Sequence, residues 1–282
     1  MRVHVCGVRG STPAPGPEFA RFGGHTSCLA LAHDGSAEPC LILDAGTGIR
    51  RVTGLLDGAP FQGAILLSHL HWDHTQGLPF FAAADRPDSR VDVHLPLGPD
   101  DGDDPLALLA RAMSPPHFPI TPDQLLGHWR FHAMATGTTR IEGFGVTVLD
   151  VPHKGGRTVG FRIDDGAHTL AYLPDHGPSA LGPGPSGLGE LHPAALALAD
   201  GVDLLVHDAQ HTAEELPRWA HFGHSAADYA VELGLAAGAK AVLLFHHGPG
   251  RVDDDVATLA KLVASVAIEV SAATEEDVIQ LS

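Results

Sequence analysis

Short apolar runs, several of them alternating with polar positions, recur along the chain and are separated by glycine- and proline-rich turns. Such runs are typical of strands in an α/β protein, because buried strands are short and almost wholly apolar. The pattern predicts β-strands at 2–8, 28–33, 40–46, 63–69, 92–97, 140–153, 158–165, 168–175, 202–208 and 239–247.

Helical periodicity appears between these strands and after the last of them. It predicts helices at 46–56, 105–113, 225–238 and 253–266. The last helix begins with three aspartates, where the helix dipole favours negative charge. The proline-rich segment 98–128 forms either a wall or lid over a site or a plain connecting loop. We expect a flexible loop at 177–189.

Polar side chains follow directly after several of the apolar runs. Ligands and catalytic groups in α/β proteins gather beyond the ends of the strands. Packing alone gives no reason for histidine and aspartate to recur at so many strand ends. The sequence therefore predicts one functional site, built from 69–74, 153, 175, 207–208 and 246–247.

The segment SHLHWDHTQG places three imidazoles and a carboxylate within six positions. Each of these groups costs free energy when it is buried without a partner, so a metal ion is the first candidate to compensate. On an extended segment His69 and His71 lie on the same side and suit one ion. Asp73 and His74, at the turn that follows, suit a second ion. Further ligands are expected from distant strands, at His153, Asp175 and His246.

Composition and charge narrow the function. The chain has 282 residues, of which 44% are hydrophobic, and we expect one domain spanning 1–282. Its formal net charge of −17 repels polyphosphates, so a large nucleic acid is not an expected partner. The three cysteines form no CxxC motif and are expected to be reduced thiols. Neither a signal peptide nor a membrane span is expected, and the predicted location is the cytoplasm.

The HLHWDH segment fits the HxHxDH motif of the metallo-β-lactamase-fold hydrolases. The resemblance continues in the same order through CLILDAGTGIR, VPHKGGRTVGFRI and LAYLPDHGP. LLVHDAQHT and GHSAADYAVELGLAAGAKAVLLFHHGP resemble the HEAT and HST segments of the ribonuclease Z and PhnP-like phosphodiesterase branch. This resemblance implies an α/β (α+β) fold class, a four-layer αβ/βα sandwich of two mixed β-sheets flanked by helices.

The resemblance also implies the roles of the site residues. The first metal ion would be held by His69, His71 and His153, the second by Asp73, His74 and His246, with Asp175 as the bridge. Asp44 would support the metal-bound histidines. The implied cofactors are two divalent metal ions, for which histidine and carboxylate ligands suit zinc, manganese or iron. Zinc is the expected metal because it is the most frequent of the three at such sites.

The catalytic roles follow from the same resemblance. Asp73 would orient or deprotonate the attacking water, and either His207 or His224 would protonate the leaving alkoxide. Asp208 replaces the glutamate of the HEAT segment, and its shorter carboxylate is expected to orient His207.

The implied reaction is the hydrolysis of a phosphodiester bond by a hydroxide that bridges two metal ions. The ribonuclease Z proteins carry a long arm that grips tRNA between the equivalents of His153 and Asp175, whereas only residues 154–174 intervene here. A small phosphodiester, of cyclic nucleotide or cyclic ribose phosphate type, is therefore the expected substrate. The alternatives are tRNA 3′-end processing, lactone or thioester hydrolysis on the same metals, and a non-catalytic metal-binding role. The family also suggests a homodimer.

Overall fold

The computed structural model describes residues 1–281. The strands are β1 (Arg2–Gly7), β2 (Cys28–Ala32), β3 (Leu41–Leu43), β4 (Gln62–Leu66), β5 (Arg90–Leu95), β6 (His128–Ala133), β7 (Gly137–Ile141), β8 (Phe144–Asp150), β9 (Val159–Asp164), β10 (Thr169–Leu173), β11 (Leu204–Asp208), β12 (Ala241–Phe245), β13 (Glu269–Ala272) and β14 (Val278–Gln280). The helices are α1 (Ile49–Leu55), α2 (Trp72–Thr75), α3 (Pro105–Ala110), α4 (Pro193–Ala199), α5 (Leu216–Trp219), α6 (Ala227–Ala237) and α7 (Asp253–Leu262). Among residues 1–281, none of these helices has both the length and the apolar character needed to cross a bilayer.

Two seven-stranded sheets pack face to face. The first has the order β14-β1-β2-β3-β4-β5-β6, and the second has the order β13-β12-β11-β10-β9-β8-β7. Starting from β14 in the first sheet, three antiparallel ladders are followed by three parallel ones. The second sheet repeats this pattern when it is followed from β7. The two halves of the chain therefore share one topology, and β14 completes the first sheet.

Three apolar cores separate the layers. The central core lies between the sheets and joins residues such as Leu29 and Leu66 of the first sheet to Phe161 and Val206 of the second. A second core packs α1 and α3 on the outer face of the first sheet. A third core packs α4, α6 and α7 on the outer face of the second sheet. The expected four-layer αβ/βα sandwich is therefore confirmed.

The prediction of one strand over 140–153 was wrong, because this segment contains a hairpin turn. β7 ends at Ile141 and β8 begins at Phe144, and these two residues pair across the turn. The turn residues Glu142 and Gly143 have φ angles of 48° and 84°. Two consecutive residues in the left-handed region make the tight turn that suits the twist of a hairpin. Ile141, the one large apolar side chain of β7, directly precedes the turn and extended the apolar pattern of β8 across it.

Three further strands, β6, β13 and β14, were not predicted. β6 carries polar side chains on one face, where Arg130 and His132 bond to the carboxylate of Asp92 on the neighbouring β5. β6 and β13 lie at sheet edges, where one side of the backbone has no neighbouring strand and a long apolar run is not needed. Their short and mixed sequences therefore resembled loops.

The fully buried Arg9 fixes the loop that follows β1. Its Nε donates to the carbonyl of Gly23 and its Nη1 donates to the carbonyl of Arg251, both at 2.6 Å. These bonds join the loop after β1 to the loop after β12. At the next residue, Gly10, a Cβ atom would lie only 2.4 Å from Nδ1 of His246, so glycine is required for this close approach.

We expect Arg9→Met to lower the free energy of unfolding by about 2–5 kcal/mol, because two buried carbonyls lose their donors. Chemical denaturation followed by circular dichroism measures this loss. Arg21→Met is the matched control, because Arg21 is half-exposed and pairs with Asp254 at the surface. The control should change the same free energy by less than about 1 kcal/mol. Equal effects of the two substitutions would contradict the role of Arg9.

Candidate metal centre

The first group of candidate ligands forms where the chain leaves β4 and β8. His69 and His71 follow β4, and His153 follows β8. Nδ1 of His71 lies 3.3 Å from Nε2 of His153. Nε2 of His69 and Nε2 of His153 lie 3.6 Å and 3.3 Å from Oδ2 of Asp175. One ligand atom from each of these four residues lies within 4.8 Å of the others.

The second group forms between α2 and the end of β12. His71 is extended, and the chain becomes helical at the next residue, so Asp73 and His74 lie on a different element from the preceding histidines. Nε2 of His74 and Oδ2 of Asp73 lie 3.4 Å and 3.1 Å from Nε2 of His246. These three residues form a second potential metal-binding group. The structure therefore gathers the seven predicted ligands into the two predicted sets.

Asp175 lies between the two groups and turns one oxygen toward each. Its Oδ2 faces His69 and His153, as described above. Its Oδ1 lies 2.9 Å from Nε2 of His74 and 3.2 Å from Nε2 of His246. The side chain is 1% exposed. This is the placement that a bridging carboxylate requires.

The spacing of the ligand atoms fits metal ions. Nitrogen ligands at about 2.0–2.1 Å from a tetrahedral ion are separated by about 3.3–3.4 Å. The two close pairs of imidazole nitrogens, one in each group, are separated by 3.3 Å and 3.4 Å. Nε2 of His69 and Oδ1 of Asp175 are buried without a hydrogen-bond partner among residues 1–281. A divalent cation in each group would satisfy these atoms.

The charges of the centre lead to the same conclusion. Burial is the largest cause of the lowered pKa values of His69, His71 and His153, so their rings are neutral and keep a lone pair for a metal. Burial also lowers the pKa of His74, but the carboxylates of Asp175, Asp73 and Asp44 raise it further than burial lowers it. The negative charge of these buried carboxylates therefore needs compensation at the second group, and a bound cation can provide it.

Asp44, just after β3, determines which nitrogen of two histidines faces the centre. Its Oδ2 accepts from Nδ1 of His74 at 2.8 Å and from the hydroxyl groups of Ser68 and Tyr172, both at 2.9 Å. Because the hydroxyl of Ser68 donates to Asp44, it accepts from Nδ1 of His69 at 3.1 Å. With Nδ1 engaged in this way, both histidines direct Nε2 toward the ligand groups.

His224 and Asp208 form a buried pair beside the bridging carboxylate. Nδ1 of His224 donates to Oδ2 of Asp208 at 2.9 Å and lies 3.7 Å from Oδ2 of Asp175. Burial lowers the pKa of His224, but the carboxylates of Asp208, Asp175 and Asp73 together outweigh it and the pKa rises to about 9. Asp208 also accepts from the backbone N–H groups of His176, Gln210 and Ser225.

The structure places His207 away from the centre. Successive side chains of a strand point to opposite faces, so Asp208 faces the metal ligands and His207 faces the helix layer. Nδ1 of His207 donates to the carbonyl of Asp208 at 2.8 Å, and its Nε2 lies 3.0 Å from Nδ1 of His176. His207 is fully buried and does not line the cavity over the centre. The side chain of Asp208 thus orients His224 and not, as the sequence suggested, His207.

A cavity of about 1000 Å³ opens over the candidate ligands. Segment 98–128 contributes no residue to its lining, so this segment is a connection and not a lid of the cavity. Several lining residues outside the ligand set were not predicted from the sequence, namely His211, Glu215, Trp219, Phe222 and Arg251. The sequence TAEE at 212–215 could have located part of this lining, because it is a helix-capping motif directly before Trp219.

Comparison with known proteins agrees with this architecture. The profile of a family described as a β-lactamase superfamily domain matches residues 41–247. A ribonuclease Z from Exiguobacterium sibiricum is 43% identical over 61 residues, which make up 22% of this chain and 20% of that protein. This match therefore spans about a fifth of the length of the curated relative.

Two solved structures are similar over nearly the whole chain. The metallo-β-lactamase fold protein YhfI from Bacillus subtilis is 20% identical with a TM-score of 0.70, and the similarity covers 99% of each chain. A diphosphatase from the PhnP family is 16% identical with a TM-score of 0.66, covering 100% of this chain and 98% of the other. At these identities the similarity concerns the fold.

We expect Asp44→Asn to weaken the binding of divalent metal ions about 10–100-fold, because the ligand histidines lose the acceptor that orients them. Competition against a chromophoric chelator measures the affinity. Asp57→Asn is the control, since Asp57 is exposed and both aspartates have a positive φ, 62° at Asp44 and 45° at Asp57. Asparagine tolerates that conformation. Unchanged metal affinity in a folded Asp44→Asn protein would contradict the orienting role.

Proposed function

This chain belongs to the β-lactamase superfamily, and from that premise we propose that it is a metal-dependent hydrolase that cleaves phosphodiester bonds of small molecules. The observation that carries the proposal is the buried His224–Asp208 pair, which lies beside a carboxylate shared by two groups of metal-ligand side chains. Two ion sites suit a phosphate centre, and an oriented histidine suits a leaving group that must gain a proton.

The proposed cofactors are two divalent metal ions, most suitably zinc, with manganese or iron as the other metals that this donor set accepts. His69, His71 and His153 would hold one ion, and Asp73, His74 and His246 the other, with Asp175 contributing to both. When bound, such ions supply positive charge for the phosphate oxygens and lower the pKa of water.

Asp73 is proposed to orient the attacking water. Its Oδ2 accepts from the backbone N–H of Ser11 at 2.6 Å and lies 3.1 Å from Nε2 of His246. Its other oxygen, Oδ1, makes no hydrogen bond among residues 1–281 and is available to a water molecule in the cavity. Arg9 and Gly10 position Ser11, so the loop after β1 helps to fix this carboxylate.

His224 is proposed to donate the proton that the leaving oxygen requires. Asp208 holds its Nδ1–H, which leaves Nε2 free to bond to the leaving oxygen, and His224 lines the cavity. Asp208 is itself held by three backbone N–H groups, so it remains a carboxylate and maintains the ring orientation of His224. A positioned histidine of this kind contributes about 10²–10⁴-fold to a rate.

A small substrate is favoured over tRNA. Between His153 and Asp175 the chain forms β9, β10 and tight connections, and these account for the whole of 154–174. There is accordingly no arm within this segment to grip a large nucleic acid. The formal charge of −17 also disfavours a polyanionic partner.

The first test combines a substrate panel with metal analysis on one sample. We expect the protein to contain two divalent ions per chain and to hydrolyse bis(p-nitrophenyl) phosphate or 2′,3′- or 3′,5′-cyclic nucleotides. His71→Ala should lower both the metal content and the rate, the rate by at least about 100-fold. His117→Ala is the control, because His117 is exposed on the connecting segment. Cleavage of lactones or thioesters alone would contradict the proposed reaction.

The role of His224 can be tested through the leaving group. We expect His224→Ala to slow the cleavage of cyclic nucleotides, which release an alkoxide, by about 10²–10⁴-fold. The same substitution should have a much smaller effect on bis(p-nitrophenyl) phosphate, because p-nitrophenolate leaves without protonation. Steady-state kcat for both substrates measures the difference. An equal loss for both would show that His224 does not donate the proton.

A further inference from the structure

Three large aromatic side chains line the cavity. The chain has only three tryptophans, and two of them, Trp72 and Trp219, line it together with Phe222. Trp72 is 74% exposed although it lies between the buried ligands of the HLHWDH segment. Phe222 is 49% exposed. Exposed aromatic rings grouped around a cavity are typical of a ligand-binding surface.

The rings approach the cavity from two separate parts of the fold. Trp72 begins α2, after β4 of the first sheet, whereas Trp219 and Phe222 follow β11 of the second sheet. The rings of Trp219 and Phe222 stack with centroids 6.0 Å apart and an angle of 30° between their planes. Nζ of Lys154 lies 5.6 Å from the centroid of Phe222, so a positive charge accompanies these rings.

Residues 212–223, which we call the aromatic wall, are held firmly in place. Thr212 and Glu215 bond reciprocally through their side chains and backbone N–H groups, which starts a helical turn. Arg251, on the loop after β12, binds the carboxylate of Glu215. At the other end of the wall, the carbonyl of Gly223 accepts from Nδ1 of His153 at 2.6 Å. The wall is therefore a preformed surface and needs no ordering when a ligand binds.

The cavity is larger than a phosphate centre requires. Its volume of about 1000 Å³ is at the upper end of the range for a small-molecule site. Its lining includes the polar side chains of Gln210 and Asp255 as well as the aromatic rings. Such a mixture suits a heteroaromatic base, which presents flat faces for stacking and polar edges for hydrogen bonding.

We propose that Trp72 and the aromatic wall form a binding subsite for the nucleobase of a nucleoside phosphodiester. This inference rests on the proposed phosphodiesterase function and adds the class of substrate. The base stacks on Trp72 or on the rings of the aromatic wall while the phosphate lies over the metal ligands. The acidic surface restricts the substrate to a single nucleoside or a very short oligonucleotide.

The test measures binding separately from turnover. Trp129→Phe removes the third tryptophan, which lies on β6 outside the cavity, so that the remaining fluorescence comes from Trp72 and Trp219. Adenosine 5′-monophosphate and ribose 5-phosphate are titrated into this metal-loaded variant, with excitation at a wavelength that adenine does not absorb. We expect adenosine 5′-monophosphate to bind about tenfold or more tightly than ribose 5-phosphate, because only the former carries a base that stacks.

Trp72→Ala and Phe222→Ala, each in the Trp129→Phe background, should reduce this preference, and Trp72→Phe should retain most of it. Phe80→Ala is the control, since Phe80 is 56% exposed but packs against Phe118 outside the cavity.

Equal affinities for the two monophosphates, or a preference that survives both alanine substitutions, would overturn the subsite. Diester hydrolysis without base preference would leave the proposed function standing and remove only this inference. Base preference without hydrolysis would support the subsite and contradict the function.

Discussion

The carboxylate of Asp175, buried between two groups of histidines, is the interaction on which the rest of this structure depends. One of its oxygens faces His69 and His153, and the other faces His74 and His246. A buried charge in this position is stable only if positive charge surrounds it. The four histidines come from both halves of the chain, so the site can form only when the two sheets are packed together.

Other acceptors around the centre act by orienting rings. Asp44 orients His74 directly and His69 through Ser68, and Asp208 orients His224. In each case Nδ1–H of the ring donates to its partner, a carboxylate or, for His69, the hydroxyl of Ser68, and this bond fixes the orientation of the ring. Buried carboxylates around the site thus determine which ring nitrogen of each histidine is available as a ligand or proton donor.

The convergence of the candidate ligands could be predicted from the sequence because each of them lies within a few residues of the end of an apolar run. The face of the sheet toward which a strand residue points was harder to predict. Neighbouring residues of a strand point to opposite faces, so Asp208 points to the centre and His207 points away from it. The hairpin turn at Glu142 and Gly143 was missed because Ile141 directly precedes it and extends the apolar pattern of β8. Trp219 was missed because its helix of four residues is too short to show an apolar periodicity.

The bond between His153 and the carbonyl of Gly223 links two parts of the site that would otherwise be independent. Gly223 has a φ of 88°, and a Cβ atom there would lie 2.8 Å from the backbone nitrogen of Lys154, so this junction has little freedom to adjust. Any substitution that displaces Gly223 therefore also displaces the ring of His153, one of the candidate metal ligands. One hydrogen bond thus sets both where the aromatic wall ends and how one ring of the candidate centre is oriented.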